Sequence, residues 1–360
     1  MAGTLMSSDS DSDLEVLEQL SDWDNEDTDG DEGPSGSRRS YCRIDYTQCL
    51  TDAEFTFRFR LNKAAVQLLL SEIMPHVKVT CNRNHGVAPL HQLLLTLRFY
   101  ALGTMLISVA DFVGVSKSTA SRIVHDISGA IAILYNKYIV MHPNHVDKFF
   151  QYGQFPRVLG AIDCTHIRIQ SPNHTIGEEF RNRKGYFSLN VQAVCDADLK
   201  FMNVVARWPG SAHDATIFNN SVLRAQCEAG TFGNRWLLAD SAYPNRCYML
   251  TPILNPSARN EQKYNDAHIA TRNLIERTFG VWKRRFPVIS LSMRLSLENI
   301  QKVIIATAVL HNICRIHNLQ ETPAEVQIPF QAMDDDDLQT VGVQDSRDRT
   351  ELIEAYFSTM

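Results

Sequence analysis

Residues 160–169 read G-A-I-D-C-T-H-I-R-I, and this stretch decides how the rest of the chain is interpreted. The apolar residues Val158 and Leu159 precede it, and apolar and polar residues then alternate through Ile169. This pattern predicts a buried β-strand with one carboxylate, that of Asp163, at its centre. An ionised carboxylate in an apolar strand is costly unless a cation or hydrogen-bond donors meet it. Taken alone, Asp163 fits both a side chain satisfied by local amides and a metal ligand.

Three more strands are predicted after this one. Residues 187–195 and 201–208 are strand-like, and the turn D-A-D-L-K between them indicates a hairpin. Residues 236–244 read W-L-L-A-D-S-A-Y-P, which predicts a fourth strand that ends on Asp240. The predicted sheet is therefore a meander of three strands joined by a later fourth.

Two long helices complete the predicted fold. Residues 268–286 form an amphipathic helix on which Arg272, Glu276 and Lys283 share one face. A last helix is predicted over residues 297–316. Three strands, a helix, a fourth strand and further helices are the order of the ribonuclease-H-like α/β fold. In that fold the first strand is central and the fourth pairs beside it, so Asp163 and Asp240 should face each other.

Four acidic residues are candidates for one metal site. On fold grounds Asp163, Asp240 and Glu276 form the predicted catalytic triad, and Asp214 is a further candidate metal ligand. Convergent carboxylates hold hard divalent cations such as Mg²⁺ or Mn²⁺, and two such ions catalyse phosphodiester cleavage. Each acid alone has an ordinary explanation: Glu276 as a solvated helix charge, Asp240 as a turn residue, and Asp214 at a helix start. Their order on the predicted elements favours the metal site.

A second pattern lies in residues 108–133. Gly114 suits a tight turn, and Ser116 is a natural N-cap for the helix that follows. This layout predicts an all-α helix-turn-helix domain ahead of the catalytic domain, with polar and basic side chains on the second helix facing DNA. These candidate DNA-binding residues are Lys117, Ser118, Thr119, Ser121 and Arg122. A plain helical hairpin with a Gly connector is the alternative.

The charge distribution suggests the domain organisation. Residues 1–40 have a net charge of -10 and residues 321–360 a net charge of -8, so the intervening chain carries +12. A basic body between acidic ends suits a polyanionic partner. We predict a disordered acidic N-terminal segment (1–40), a helical helix-turn-helix-like DNA-binding domain (41–150), a ribonuclease-H-like nuclease domain (151–320) and an acidic C-terminal tail (321–360).

The cysteines and the apolar segments bear on the cellular compartment. Eight cysteines are scattered without a C-x-x-C pair, and the N-terminus is acidic and serine-rich rather than a basic and apolar signal peptide. No apolar run reaches the roughly 18 residues that span a bilayer. We therefore expect a soluble intracellular protein with reduced thiols and no membrane partner.

Four ordered motifs within about residues 50–320 resemble those of the PIF/Harbinger DDE transposases and, more closely, their host-derived nuclease relatives. The motifs are G-A-I-D-C-T-H-I at 160–167, S-A-H-D at 211–214, L-A-D-S-A-Y-P at 238–244, and Y-N-D-A-H at 264–268 continuing to I-E-R-T-F-G at 275–280. The resemblance implies that Asp163, Asp214, Asp240 and Glu276 bind divalent metal and catalyse DNA cleavage. Which of Asp214 and Asp240 ligates metal directly stays open.

The resemblance also implies partners and a location. The family often works with a separate Myb-like DNA-binding protein, and we allow for a homo-oligomer. Lys283 and Arg284 are candidate phosphate contacts, although a solvated helix end explains them nearly as well. Because the chain has no strong basic localisation signal, nuclear entry would depend on the partner, with some protein in the cytoplasm.

Three functions remain open from the sequence. The first is a metal-dependent DNA endonuclease or transposase of the DDE type. The second is a domesticated DNA-binding or adaptor protein whose nuclease is silent, although the four acids are intact. The third is an RNA-directed ribonuclease of the same fold, which the candidate helix-turn-helix makes less favoured than a DNA enzyme.

Overall fold

A mixed β-sheet positions the candidate site. The structure is a computed structural model that describes residues 44–77, 86–142, 146–172, 177–319 and 347–359. Its strands are β1 (Val158–Arg168), β2 (Ser188–Cys195), β3 (Phe201–Pro209), β4 (Trp236–Leu238) and β5 (Met249–Leu250). They are hydrogen-bonded in the order β3-β2-β1-β4-β5. This mixed α/β architecture is compatible with the predicted ribonuclease-H-like class.

The strand pairing follows the predicted meander. β1 pairs antiparallel with β2, β2 pairs antiparallel with β3, and β4 is parallel to both β1 and β5. The central place of β1 and the β2–β3 hairpin are therefore confirmed. One detail is corrected: β4 ends at Leu238, so Asp240 lies two residues beyond the strand rather than at its end. Beyond β4 the chain turns, with the carbonyl of Asp240 accepting a hydrogen bond from the backbone N–H of Tyr243 at 3.3 Å.

Helices precede and follow the sheet. The first group is α1 (Tyr46–Cys49), α2 (Asp52–Phe59), α3 (Lys63–Ile73), α4 (Pro89–Leu102), α5 (Leu106–Val113), α6 (Lys117–Ile133), α7 (Tyr135–Tyr138) and α8 (Val146–Gly153). The later group is α9 (Asp214–Asn219), α10 (Val222–Glu228), α11 (Arg259–Arg285), α12 (Leu297–Ile316) and α13 (Arg347–Leu352). The predicted helix 297–316 is confirmed, and the helix that contains Glu276 begins nine residues earlier than predicted. No helix in the described ranges is long and apolar enough to cross a membrane.

The turn between α5 and α6 has the predicted chemistry. Gly114 ends α5 in the left-handed conformation, with φ of 68°, which a residue without a Cβ adopts at low cost. The Oγ of Ser116 accepts a hydrogen bond from the backbone N–H of Thr119 at 3.2 Å and so caps α6. The predicted break and cap are confirmed, whereas a helix-turn-helix DNA-binding role stays a prediction.

The helices ahead of the sheet share a hydrophobic core with it. Tyr135 of α7 exchanges hydrogen bonds with the backbone of Val204 on β3, at 3.0 and 3.3 Å. The side chain of Asn312 on α12 bonds both backbone groups of Phe201, also on β3, and the carbonyl of Tyr138. Residues 43–360 accordingly form one compact unit. The functional division that we predict at residue 150 stays a prediction.

The C-terminal residues add an element that the sequence analysis did not anticipate. After α13, residues Ile353–Phe357 form a π-helix. The ring of Phe357 is fully buried and lies 5.6 Å from the rings of both Phe155 and Tyr264. The end of the predicted acidic tail therefore packs against the N-terminal half of α11. The predicted disordered segment 1–40 lies outside the described residues.

Candidate active site

Asp163 lies in the middle of β1 and is almost wholly buried, with 5% of the residue exposed. Its Oδ1 accepts a hydrogen bond from the backbone N–H of Cys164 at 2.7 Å. Its Oδ2 accepts one from Nη1 of Arg272 on α11 at 2.9 Å. Two donors thus hold the carboxylate on a rigid strand, as the cost of burying a charge requires.

The short β4 brings Asp240 to this point. Ala161 pairs in parallel with Leu238, the last residue of β4, and the two aspartates lie two residues beyond that pair on their own chains. Because no β4 residue pairs with β1 past Ala161, the edge of β1 is open beside Asp163. The Oδ1 of Asp240 accepts a bond from the backbone N–H of Ala242 at 3.1 Å, which orients the carboxylate in the loop.

Asp214 reaches the same place from the side of β1 that pairs with β2. It is the first residue of α9, and its Oδ1 accepts a hydrogen bond from Nδ2 of Asn190 on β2 at 2.8 Å. One carboxylate oxygen each from Asp163, Asp214 and Asp240 lie within 4.8 Å of one another. The structure therefore brings together three of the four acids predicted from the sequence.

The three carboxylates repel one another in a buried place. Burial raises the pKa of Asp163 well above its ordinary value; the negative charges of Asp240 and Asp214 add to this rise, and Arg272 opposes it. One guanidinium does not neutralise three carboxylates. A divalent cation with a preference for oxygen ligands would relieve the repulsion, and the group that converges in the described structure consists of three carboxylates. The donor set fits Mg²⁺ or Mn²⁺.

Glu276 is held at a distance by Arg272. The two residues lie one turn apart on α11, and Nη2 of Arg272 donates to Oε1 of Glu276 at 2.6 Å while Nη1 bonds Asp163. The guanidinium of Arg272 therefore links Glu276 to Asp163, and Glu276 is not a member of the three-aspartate group. Its place in a catalytic triad with Asp163 and Asp240 stays a prediction.

Two site residues on β2 were missed by the sequence analysis. Asn190 positions Asp214, and Nε2 of Gln192 donates to the hydroxyl of Tyr243 at 3.1 Å. That hydroxyl also lies 3.3 Å from Sγ of Cys164, which ties the loop after Asp240 to β1. Polar residues alternating inside an otherwise apolar strand were the available signal, because buried amides need partners.

The candidate DNA-contacting residues lie in two places. At the start of α6, Lys117, Ser118 and Arg122 are exposed, and Thr119 and Ser121 are half-buried. On α11, Arg284 is exposed, whereas Lys283 is half-buried and its Nζ donates to Oγ1 of Thr165 at 2.7 Å and to the carbonyl of His166 at 3.3 Å. Lys283 therefore lies against β1 rather than in the solvent.

Comparisons with known proteins agree with this geometry. The family described as DDE superfamily endonuclease matches residues 162–312, which include all four candidate acids. No solved structure matches the chain. The chain thus has a DDE-type endonuclease domain, for which a dependence on divalent metal is expected.

Relatives along most of the chain define the family further. The bovine protein named "Putative nuclease HARBI1" is 32% identical over 288 residues, which are 77% of this chain and 82% of that protein. The human protein of the same name is 29% identical over 321 residues, 86% of this chain and 92% of that protein. An Arabidopsis thaliana protein named "Protein ALP1-like" is 26% identical over 242 residues, 61% of this chain and 59% of that protein. The chain belongs to the family of Harbinger transposase-derived nucleases. It is a nuclease by family, a hydrolase of transposase origin that acts on the ester bonds of nucleic acids.

Proposed function

We propose that this protein is a DNA endonuclease that hydrolyses phosphodiester bonds with two bound Mg²⁺ or Mn²⁺ ions. The proposal rests above all on the three aspartate oxygens within 4.8 Å of one another at the open edge of β1. Held by these carboxylates, two such ions would activate a water molecule and stabilise the leaving oxygen.

The residues of the candidate site have different proposed roles. Asp163 is the most rigid candidate ligand, because it is buried on a central strand and held by two donors. Asp214 and Asp240 approach from a helix start and a loop, and each carboxylate accepts one hydrogen bond, from Asn190 and from the backbone of Ala242. Arg272 bonds both Asp163 and Glu276, so Glu276 would become a further ligand or a proton acceptor only after its bond to Arg272 is released.

DNA is the proposed substrate because of the helix pair α5–α6. Lys117 and Arg122 are exposed near the start of α6, as the second helix of a helix-turn-helix requires. We expect Arg122→Ala to weaken DNA binding and to lower its salt dependence, with metal binding unchanged. Arg224→Ala is the matched control, because that arginine is paired with Glu228 on α10. Unchanged affinity of Arg122→Ala across a salt series would count against the role of α6.

Cleavage is tested directly with purified protein, supercoiled plasmid and Mg²⁺ or Mn²⁺. Wild type should nick the plasmid only with a divalent cation, and Asp163→Asn and Asp240→Asn should each abolish nicking. Asp266→Asn is the control, because Asp266 is an exposed acid on α11 bonded only within that helix. Equal nicking by wild type and Asp163→Asn would refute the proposed site. Duplex RNA of the same sequence, offered in parallel, distinguishes the DNA enzyme from a ribonuclease.

A DNA-binding protein without turnover is the second candidate. The observation that favours it is the guanidinium of Arg272, which already neutralises part of the charge of Asp163 and Glu276. In that case the same plasmid should be bound and left intact with every cation. A lack of cleavage together with DNA binding would therefore select this function.

A Myb-like DNA-binding companion and a nuclear location are part of the proposal. The family resemblance supports the companion, and the absence of a strong basic localisation signal in the sequence suggests that nuclear entry depends on it. Some protein would then be cytoplasmic. Expression of this chain alone should leave it largely outside the nucleus, and a fully nuclear distribution would contradict that dependence. Size-exclusion chromatography with light scattering would decide whether it forms a homo-oligomer.

A further inference from the structure

The half of β1 that follows Asp163 has two cations beside it. Nζ of Lys283 bonds Thr165 Oγ1 and the carbonyl of His166, the two residues that lie two and three positions past Asp163. An ammonium group has three donors, and these two oxygens account for two of them. Arg168 is the last residue of the strand. Both side chains are half-buried and so border the solvent.

The guanidinium of Arg168 is held in place by an aromatic ring. Its Cζ lies 4.2 Å from the centroid of the Tyr186 ring, and the edge of the His166 ring contacts the same tyrosine at 6.4 Å. His166 in turn is fixed by a 3.0 Å hydrogen bond between its Nδ1 and Oγ of Ser188. A stacked guanidinium keeps its edge donors free and has already lost much of its conformational freedom. This is the arrangement of a preorganised anion contact.

No carboxylate neutralises these two cations. Among the residues that the structure describes, neither Arg168 nor Lys283 forms an ion pair. Burial and the nearby charge of Arg168 lower the pKa of Lys283 to about 8. Two positive charges along β1 without a carboxylate partner in the described structure leave a favourable place for a further anion.

We infer that Lys283 and the Tyr186-stacked Arg168 form a phosphate-binding track along β1, which holds the DNA strand that leaves the metal centre. The inference rests on the proposed nuclease function and adds Arg168 to the residues that contact substrate, with Tyr186 as the residue that positions it. A strand advances about 3.3 Å per residue, so Arg168 lies roughly 17 Å from Asp163, a span of a few phosphates of one DNA strand. Lys283, beside Thr165, meets a phosphate closer to the cut.

Binding of a DNA duplex to the full-length protein in Ca²⁺, with the DNA checked to be intact, tests the track. Arg168→Gln should weaken binding roughly tenfold at low salt and reduce the slope of log affinity against log salt by about 0.9, the loss of one phosphate contact. Tyr186→Leu should do nearly the same because the guanidinium loses its support, whereas Tyr186→Phe keeps the ring and should bind like wild type. The conservative variant separates a positioning role from general loss of structure.

Arg157 provides a matched control next to the same strand. It is an exposed arginine stacked on an aromatic ring, 4.0 Å from the centroid of Trp236, but it lies just ahead of β1 at the end away from Arg168. Arg157→Gln should leave affinity and salt slope unchanged. If Arg168→Gln binds like wild type, or if Arg157→Gln is weakened equally, the track is wrong.

An uncharged phosphate analogue in the DNA identifies the phosphate that Arg168 contacts. A single methylphosphonate is moved along each strand from the nicking position or, without nicking, through the whole duplex. It should weaken wild-type binding at the phosphate that Lys283 contacts, near the cut, and at the phosphate that Arg168 contacts, a few phosphates away; the second position is the one that tests Arg168. At that position the same substitution should not weaken Arg168→Gln further. If the binding losses caused by the methylphosphonate and by Arg168→Gln are additive at every position, the assignment is wrong. Because binding and nicking are read separately, failure of the nuclease proposal is a lack of nicking, and failure of the track is a lack of effect on binding.

Discussion

Replacing Arg272 by Gln removes the side-chain cation that bonds the buried Asp163. This arginine bonds Asp163 at 2.9 Å and Glu276 at 2.6 Å, with 13% of its side chain exposed. Breaking a buried pair by removing one partner costs about 3–5 kcal/mol. Asp163 can take up a proton because its pKa is already raised, which limits the loss. We therefore expect a decrease in the free energy of unfolding of about 3 kcal/mol at pH 7 in EDTA.

A divalent cation should change that cost. A ligand that binds only the folded protein stabilises it by about 2.7 kcal/mol at 100 times its dissociation constant. Without the positive charge of Arg272, the carboxylates should bind Mg²⁺ or Mn²⁺ more tightly. The stabilisation by metal is then larger in Arg272→Gln than in wild type, and the penalty of the mutation in saturating Mg²⁺ should fall below half its value in EDTA.

Urea unfolding of both proteins in EDTA and in Mg²⁺ measures all four free energies. Arg224→Gln serves as the control, because its partner Glu228 is exposed and no metal site is near the pair in the described structure. Its effect on the free energy of unfolding should be the same with and without Mg²⁺. A penalty for Arg272→Gln that is the same in EDTA and in Mg²⁺ would refute the electrostatic coupling between Arg272 and the cation.

Three further outcomes follow from burial and packing. In EDTA, stability should fall as pH rises from the ordinary pKa of an aspartate through the raised pKa of Asp163, since the folded state holds the proton longer; Asp163→Asn should flatten this slope in urea titrations. Burial lowers the pKa of His268 and of His311 to about 3, so stability should be lost as pH falls from about 6.5 towards 3, and His311→Gln should reduce the loss measured by circular dichroism. Phe357→Ala should cost about 3 kcal/mol in thermal unfolding, against little change for the half-buried neighbour Tyr356→Phe.

Much of the sheet could be predicted from local sequence. Alternation of apolar and polar residues is a property of one strand, and for β1, β2 and β3 it specified both the type of element and the position of Asp163. The helix that contains Glu276 was found for the same reason. Its beginning was missed because the first residues of α11, from Arg259 to Gln262, are polar and show no periodic apolar face.

Contacts between distant elements were harder to predict. The distance between the carboxylates of Asp163 and Asp240 depends on where β4 ends. The three apolar residues of β4 do not specify that point. Arg272 bonds both Asp163 and Glu276, and its bond to Asp163 depends on how α11 crosses β1. Residue spacing along the helix predicted only that Arg272 and Glu276 share a face. The C-terminal helix lies in a segment whose net charge suggested a solvated tail, yet Phe357 has a pocket on α11.

The open edge of β1 has a consequence for solubility and assembly. A strand edge with unpaired backbone groups is a template onto which another strand can add. Here the outward N–H of Cys164 is capped by Asp163, the carbonyl of His166 is taken by Lys283, and the carbonyl of Arg168 by the backbone of Met293. Asp163 and Lys283, which are proposed to bind metal and phosphate, thus also occupy backbone groups that an added strand would pair with. An inactivating change that shortens either side chain would expose the edge as well, so isosteric replacements are the cleaner probes of function.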